Sequence, residues 1–396
     1  MDDLPFIDTL SVEYDADIHG AHREAREQSW CAQTPAGLIF LDHEDVLWLL
    51  RDPRWRELGA DALPLIGITD GPLWDWFHEI VSAKEGEGHA RLRRLVSRAF
   101  TPKRVEALRP LMRSTAHDLI DRFENDGACE FVAAFAAPYP VRVISALLGV
   151  PAEDFERFHA WSRDLSLAFG SRIGEERSRI EAALLNLNDY VDGLLAARAN
   201  EPADDLISAL LVAEERGDRL SREELRAMVT VLIFGAQDTT QCQLACAAAT
   251  FIDHPDQWNR LGEDPDAAVA AAEEVLRFEP AGSGSPRIAT VDLEYKGRFI
   301  PAGTIAIPCG PAANRDPKIY PDPDRFDMNR KHDEPMLTFG GGTHYCLGAS
   351  LARIEIQEAL VILSKRLPHL AADGQAQWRR GSQIRGPESL GIRFGS

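Results

Sequence analysis

One run of ten residues constrains this chain more than any other. It reads Phe339-Gly340-Gly341-Gly342-Thr343-His344-Tyr345-Cys346-Leu347-Gly348 and leads straight into a helical pattern over residues 349–366. Glycine tolerates positive φ and lets the main chain approach a bound group, so the run presents one cysteine at the mouth of a helix N-terminus. Backbone N–H groups and a helix N-terminus lower a thiol pKa, and a soft thiolate facing an enclosed pocket suits iron better than oxygen-seeking metals. An isolated buried cysteine is usually a small hydrophobe, so this reading needs support elsewhere in the chain.

Three other stretches supply it. His89 and Arg93 stand four residues apart on one face of a basic helix, where two donors can clamp carboxylates. A long helix opens with a capping box at Ser221-Arg222-Glu223-Glu224, runs to about Asp253, and carries Phe234-Gly235-Ala236-Gln237-Asp238-Thr239-Thr240 at its middle. A mid-helix glycine costs about 1 kcal/mol against alanine, and threonines bonding back to earlier carbonyls bend the axis, so this segment is expected to be a weakened site. Glu274 and Arg277 lie one turn apart and can form an ion pair.

Phe-Gly-x-Gly-x-His-x-Cys-x-Gly resembles the haem-binding loop of the cytochrome P-450 family, and the other stretches follow in that family's order. The resemblance covers nearly the whole chain. It implies one mainly α domain, residues 1–396, with a small β-rich region and haem b between the long central helix and the cysteine-loop helix. It makes Cys346 the iron ligand and places Phe339, Gly340, Leu347, Gly348 and Ala352 around it. His89, Arg93, Arg287 and His344 become propionate ligands. Asp238 and Thr239 fall in the oxygen-binding groove as catalytic residues, with Phe234, Gly235 and Gly284 toward the substrate. The segment departs from the family in having Gly235-Ala236 where Ala-Gly is commoner. Glu274–Arg277 is then a buried structural pair tied to the meander, residues 313–317 and 323–327, and helices around residues 155–169 and 179–198 form a mobile roof.

The implied activity is insertion of one atom of O2 into an apolar small molecule, by hydroxylation, epoxidation or oxidative dealkylation. Electrons come from a ferredoxin and its reductase in trans. Alternatives are a peroxygenase or isomerase on the same fold, against which the Asp238-Thr239 pair speaks, and a haem sensor without catalysis. Arg91, Arg93, Arg94, Arg98, Lys103 and Arg104, with Arg353, form a basic cluster expected to face the electron donor, unless it is only a solvated helix face.

Composition sets the outer limits. A net charge of −20 repels nucleic acid and anionic membranes. Residues 1–20 have neither a basic n-region nor an apolar run near the ~20 residues of a membrane span, and the six cysteines form no disulfide framework. A cytoplasmic protein is expected. Cys242 and Cys246 read as helix packing, and His19-x-x-His22 as surface. Residues 37–52 predict a strand then a helix with Asp42 as N-cap, and residues 291–307 a hairpin around Lys296-Gly297. Trp74, Trp76 and Phe77, in an aperiodic stretch, either cover an apolar ligand or staple the loop to the core.

Overall fold

The computed structural model describes residues 3–170, 172–215, 217–331 and 333–395. Met1 and Asp2, the start of the N-terminal stretch considered above, lie outside them. Helices dominate and the strands are short. The largest sheet has the order Cys31–Thr34, Gly37–Phe40, Ile305–Pro308, Arg287–Ala289, Trp55–Glu57. Gly37–Phe40 and Ile305–Pro308 are parallel and the other neighbours antiparallel, so early and late parts of the chain share one sheet. In the edge pair, Glu57 stands opposite Arg287.

The local reading of residues 37–52 holds, with the strand followed by a helix His43–Arg51 that buries Val46 and Leu49. Asp42 occupies the N-cap position but does not cap. Its carboxylate is taken instead by Lys318 at 2.7 Å and Arg26 at 3.4 Å, two cations that outcompete a neutral N–H. Leu293–Tyr295 and Arg298–Ile300 form the expected hairpin. Lys296 and Gly297 at its tip both have positive φ, 47° and 75°, which suits the twist of a tight two-residue turn.

His19 and His22 are not on the surface. The helix Ile18–Gln28, capped by Asp17, turns Ile18, His22 and Ala25 inward together, as the i, i+4, i+7 spacing requires. His22 Nε2 lies 3.0 Å from the Tyr14 hydroxyl and 3.6 Å from Cys309 Sγ, and burial pushes the imidazole down to about 3. His19 Nε2 pairs with Glu279 at 3.0 Å. Among the described residues no group of His, Cys, Asp and Glu could hold a metal ion.

The capping box at Ser221 forms, and the helix runs unbroken over Arg222–Ile252. The expected back-bond at the threonines forms. Thr239 Oγ1 donates to Gly235 O at 2.6 Å without opening the ladder. Buried residues occur along the whole helix, from Leu225 to Phe251, so tertiary packing overrides the weak local propensity. Cys242 and Cys246 are among them. Phe155–Ser166 and Ile173–Asn200 supply the two roof helices. Among the described residues no helix is long and apolar enough to cross a membrane.

Candidate functional site

The cysteine loop is pinned at both ends. Cys346 N donates to Phe339 O at 3.0 Å, and Ala352 N donates to Gly348 O at 2.9 Å in the first turn of the helix Ala349–Arg366. Gly342 has φ of 65°, and a Cβ there would fall 2.3 Å from the Leu50 carbonyl oxygen, so no other residue fits where the loop meets the helix His43–Arg51. Gly340 also has positive φ, 70°. Leu347 packs half-buried on the core, and the Phe339 ring lies 4.5 Å under the Arg353 guanidinium.

Cys346 is the exposed cysteine of the six; Cys129 is half-buried and the rest are buried. Its sulfur is nonetheless crowded by protein on most sides. That burial pushes the thiol up, against the Gly348 and Ala349 N–H groups and the charges of Arg93 and Arg353. The low pKa expected from the loop is therefore not reached: the lowering contacts are present and burial outweighs them. A bound iron would supply the missing positive charge, since coordination deprotonates a thiol outright.

Beside the loop, the buried His89 ring stacks on His344 with centroids 4.1 Å apart. Burial, then His344 and Arg93, pushes His89 down to about 4, which makes it a neutral hydrogen-bonding partner at neutral pH. Arg93 Nη2 donates to Tyr345 O at 2.7 Å. Arg287 is buried and ion-paired with Glu57 through Nη1. His344 joins the two groups: Nδ1 is 3.8 Å from Glu57 Oε1 and Nε2 is 3.2 Å from Glu85 Oε2. Sequence reasoning missed both glutamates. Glu57 left a signal, because period two puts it on the same strand face as Trp55, which is buried.

On the long helix, Gly235 is exposed and a Cβ built on it meets nothing within 4 Å, so the helix has open space along this face. The Thr239 hydroxyl lies on that side. Asp238 is held differently from expectation, with both carboxylate oxygens accepting from Arg379 at 2.7 Å. Arg379 comes from the C-terminal end of the chain, and no local pattern announces it. Its guanidinium is half-buried, and that desolvation lowers its pKa, but the Asp238 bonds together with the charges of Asp238, Cys242 and Glu388 outweigh it and raise it overall. Phe234 stacks on Phe169 at 4.1 Å. Trp76 Nε1 donates to Thr230 Oγ1 at 2.9 Å, and Trp76 and Phe77 are buried beside Phe169, so both staple this stretch to the core. Trp74 is half-buried against His78. Gly284 has φ of 113°, and its Cβ would lie 2.0 Å from Pro308 O, so the backbone alone demands glycine there.

The expected buried pair is present. Glu274 and Arg277 have no side-chain exposure and meet through two bonds of 2.8 Å. Arg277 also donates to Asn314 O and Pro323 O at 2.9 Å each, and Glu274 accepts from Asp327 N at 3.0 Å. The pair thus ties its helix, Ala268–Phe278, to the segment that leads into the cysteine loop.

Fold and thiol together define a haem-thiolate protein, and comparison with known proteins agrees. The sequence profile described as Cytochrome P450 matches residues 131–379. Luteothin monooxygenase of Streptomyces thioluteus is 37% identical over 396 residues, covering 100% of this chain and 97% of that protein. Mycinamicin IV hydroxylase/epoxidase of Micromonospora griseorubida is 39% identical, covering 77% of each. Cytochrome P450 CYP109Q5 from Chondromyces apiculatus superposes with a TM-score of 0.90 at 30% identity, covering 98% of both chains. The chain belongs to the cytochrome P450 family. It is a haem-thiolate monooxygenase of the bacterial secondary-metabolism type, whose haem b is held by a cysteine thiolate. The residues present fit that group: a soft thiol in a glycine-rich loop at a helix N-terminus, with the imidazoles of His89 and His344 and the guanidiniums of Arg93 and Arg287 available beside it for carboxylates.

Proposed function

We propose that Cys346 is the axial ligand and that His89, Arg93, Arg287 and His344 hold the haem propionates, in a chain that works as one domain over residues 1–396. The observation that carries this is Cys346 at the N-terminus of the helix Ala349–Arg366, an exposed residue in a loop pinned at both ends, with Arg93 and the stacked His89–His344 pair around the same loop. When bound, thiolate-ligated haem supplies O2 activation and favours O–O cleavage. The protein's own part is orientation, water exclusion and proton supply.

Phe234, Gly235 and Gly284 face the substrate in this reading. Gly235 leaves room where a side chain would intrude, and the apolar Phe234–Phe169 stack joins the long helix to the roof. The substrate is accordingly an apolar secondary metabolite. Relatives carry names such as luteothin monooxygenase and mycinamicin IV hydroxylase/epoxidase, which makes polyketide products the first compounds to screen. A substrate should shift the haem of the purified protein from low to high spin and then yield an oxygenated product with a ferredoxin, its reductase and O2. Product formation with peroxide alone, and none with the electron chain, would replace this reading with a peroxygenase.

Asp238 and Thr239 manage the proton. The Thr239 hydroxyl gives its own proton to Gly235 O and keeps its oxygen available as an acceptor on the open side. Asp238 must loosen at least one Arg379 bond before it can pass a proton toward Thr239.

The electron donor docks over the cysteine face. The basic cluster is smaller than its sequence suggests, because Arg91 is held by Asp218 and Glu224 at 2.6 Å each, Arg93 by Tyr345 O, and Arg353 by Glu273 at 2.7 Å. Arg94, Arg98 and Lys103 are exposed, so their charge reaches solvent and steers the donor on an acidic protein. Reversing Arg94 and Arg98 to Glu is expected to slow reduction by an acidic ferredoxin about tenfold or more at low salt and to flatten its ionic-strength dependence, with substrate binding intact. An unchanged rate and salt dependence, read by stopped-flow, would put the docking face elsewhere.

A further inference from the structure

The carboxylate-binding ring beside the cysteine loop already contains carboxylates. Arg287 and Glu57 are directly opposed across the sheet edge, their side chains are only 5% and 6% exposed, and the pair is closed by Ser285 Oγ donating to Glu57 Oε2 at 2.7 Å. Glu57 N in turn donates to Glu85 Oε1 at 2.6 Å, and the other oxygen of Glu85 reaches His344. One guanidinium, Arg287, and the His344 imidazole therefore face two glutamates before any ligand carboxylate is counted. Arg287 Nη1 is in direct contact with Glu57 Oε1, so the guanidinium is already engaged by a carboxylate of the protein.

We propose that Glu57 is a built-in competitor for Arg287: it shares the guanidinium with a haem propionate and so holds the haem at a lower reduction potential and in a looser grip than the four propionate ligands alone would give. This rests on the assignment of Arg287 as a propionate ligand. Burial pushes the Glu57 carboxyl up, while the Arg287 contact, His344 and Ser285 favour its charged form; that negative charge in a low-dielectric surround favours the oxidised, more positive haem over the reduced one. Sharing Arg287 acts in the same direction, because a guanidinium neutralised by Glu57 stabilises added electron density less. Removing the Glu57 charge reverses both effects.

The test is the midpoint potential of the substrate-free holoprotein, together with the rate at which its haem passes to apomyoglobin. Glu57→Gln keeps the shape and the Ser285 contact. It is expected to raise the potential by an amount equivalent to a severalfold to tenfold change in the oxidised-to-reduced ratio, tenfold being about 59 mV for one electron, and to slow haem transfer severalfold. Glu201→Gln, at an exposed helix end, controls for net charge and is expected to leave both unchanged. A Glu57→Gln potential equal to that of the control would overturn the proposal. Haem loading lost in Glu57→Gln yet normal in Glu57→Asp would also overturn it, since the carboxylate would then be aiding retention. If the haem assignment itself were wrong, wild-type protein would show no thiolate-type spectrum at all, which separates that failure from either of these.

Discussion

Glu274→Ala is expected to yield little or no folded, haem-loaded protein. The carboxylate it removes is fully buried and accepts from Arg277, from Asp327 N, and from Arg330 Nε at 3.2 Å. Alanine leaves the Arg277 charge in the interior without its carboxylate partner, and breaking a buried pair from one side costs about 3–5 kcal/mol. Total stabilities are about 5–15 kcal/mol, so the loss takes a large share. The damage also reaches function, because Arg277 holds the Asn314 and Pro323 carbonyls in the segment leading to the cysteine loop. Urea midpoints and haem-to-protein ratios measure both effects. A variant with wild-type stability and full haem content would show that the pair does not organise the loop.

Asp238→Asn is expected to cut product formation by about 10²-fold, the lower range for loss of a positioned proton donor, and to enlarge the solvent isotope effect on turnover. The variant also unbalances Arg379, which holds Asp238 through two 2.7 Å bonds, so some loss of stability accompanies it. Arg379→Gln separates the two contributions: it removes the clamp and leaves the acid. If Asp238 passes protons only after loosening from Arg379, the second variant should retain most of the rate, with an altered isotope effect. Thr239→Ala should keep its haem and consume reductant while releasing hydrogen peroxide in place of most of the product. Unchanged coupling in Thr239→Ala, or an unchanged rate in Asp238→Asn, would remove these residues from the proton path.

Features written within one stretch of chain were legible in advance. The cysteine loop, the Ser221 capping box, the Lys296-Gly297 turn and the Glu274–Arg277 pair each depend on residues a few positions apart, and each formed as expected. Pairings made by tertiary structure were not legible. Arg379 reaches Asp238 from the far end of the chain, and Glu57 meets Arg287 only because two distant strands share an edge. His22 was misjudged for a different reason: its four-residue spacing from Ile18 placed it on an apolar helix face, and that periodicity outweighs the polar character of an imidazole. The acidity of Cys346 went astray because sequence shows the groups that lower a pKa and hides how deeply the loop wraps the sulfur. The unbroken long helix teaches the same lesson, since packing along its length held residues of poor propensity in place.

The central claim is that Cys346 binds iron as a thiolate. The most direct measurement is the absorption spectrum of freshly purified, reduced protein under carbon monoxide. Thiolate ligation predicts the strongly red-shifted Soret band of haem-thiolate proteins in the wild type and its loss in Cys346→His. A wild-type band at the position typical of histidine-ligated haem, in protein that is folded and active, would contradict the account.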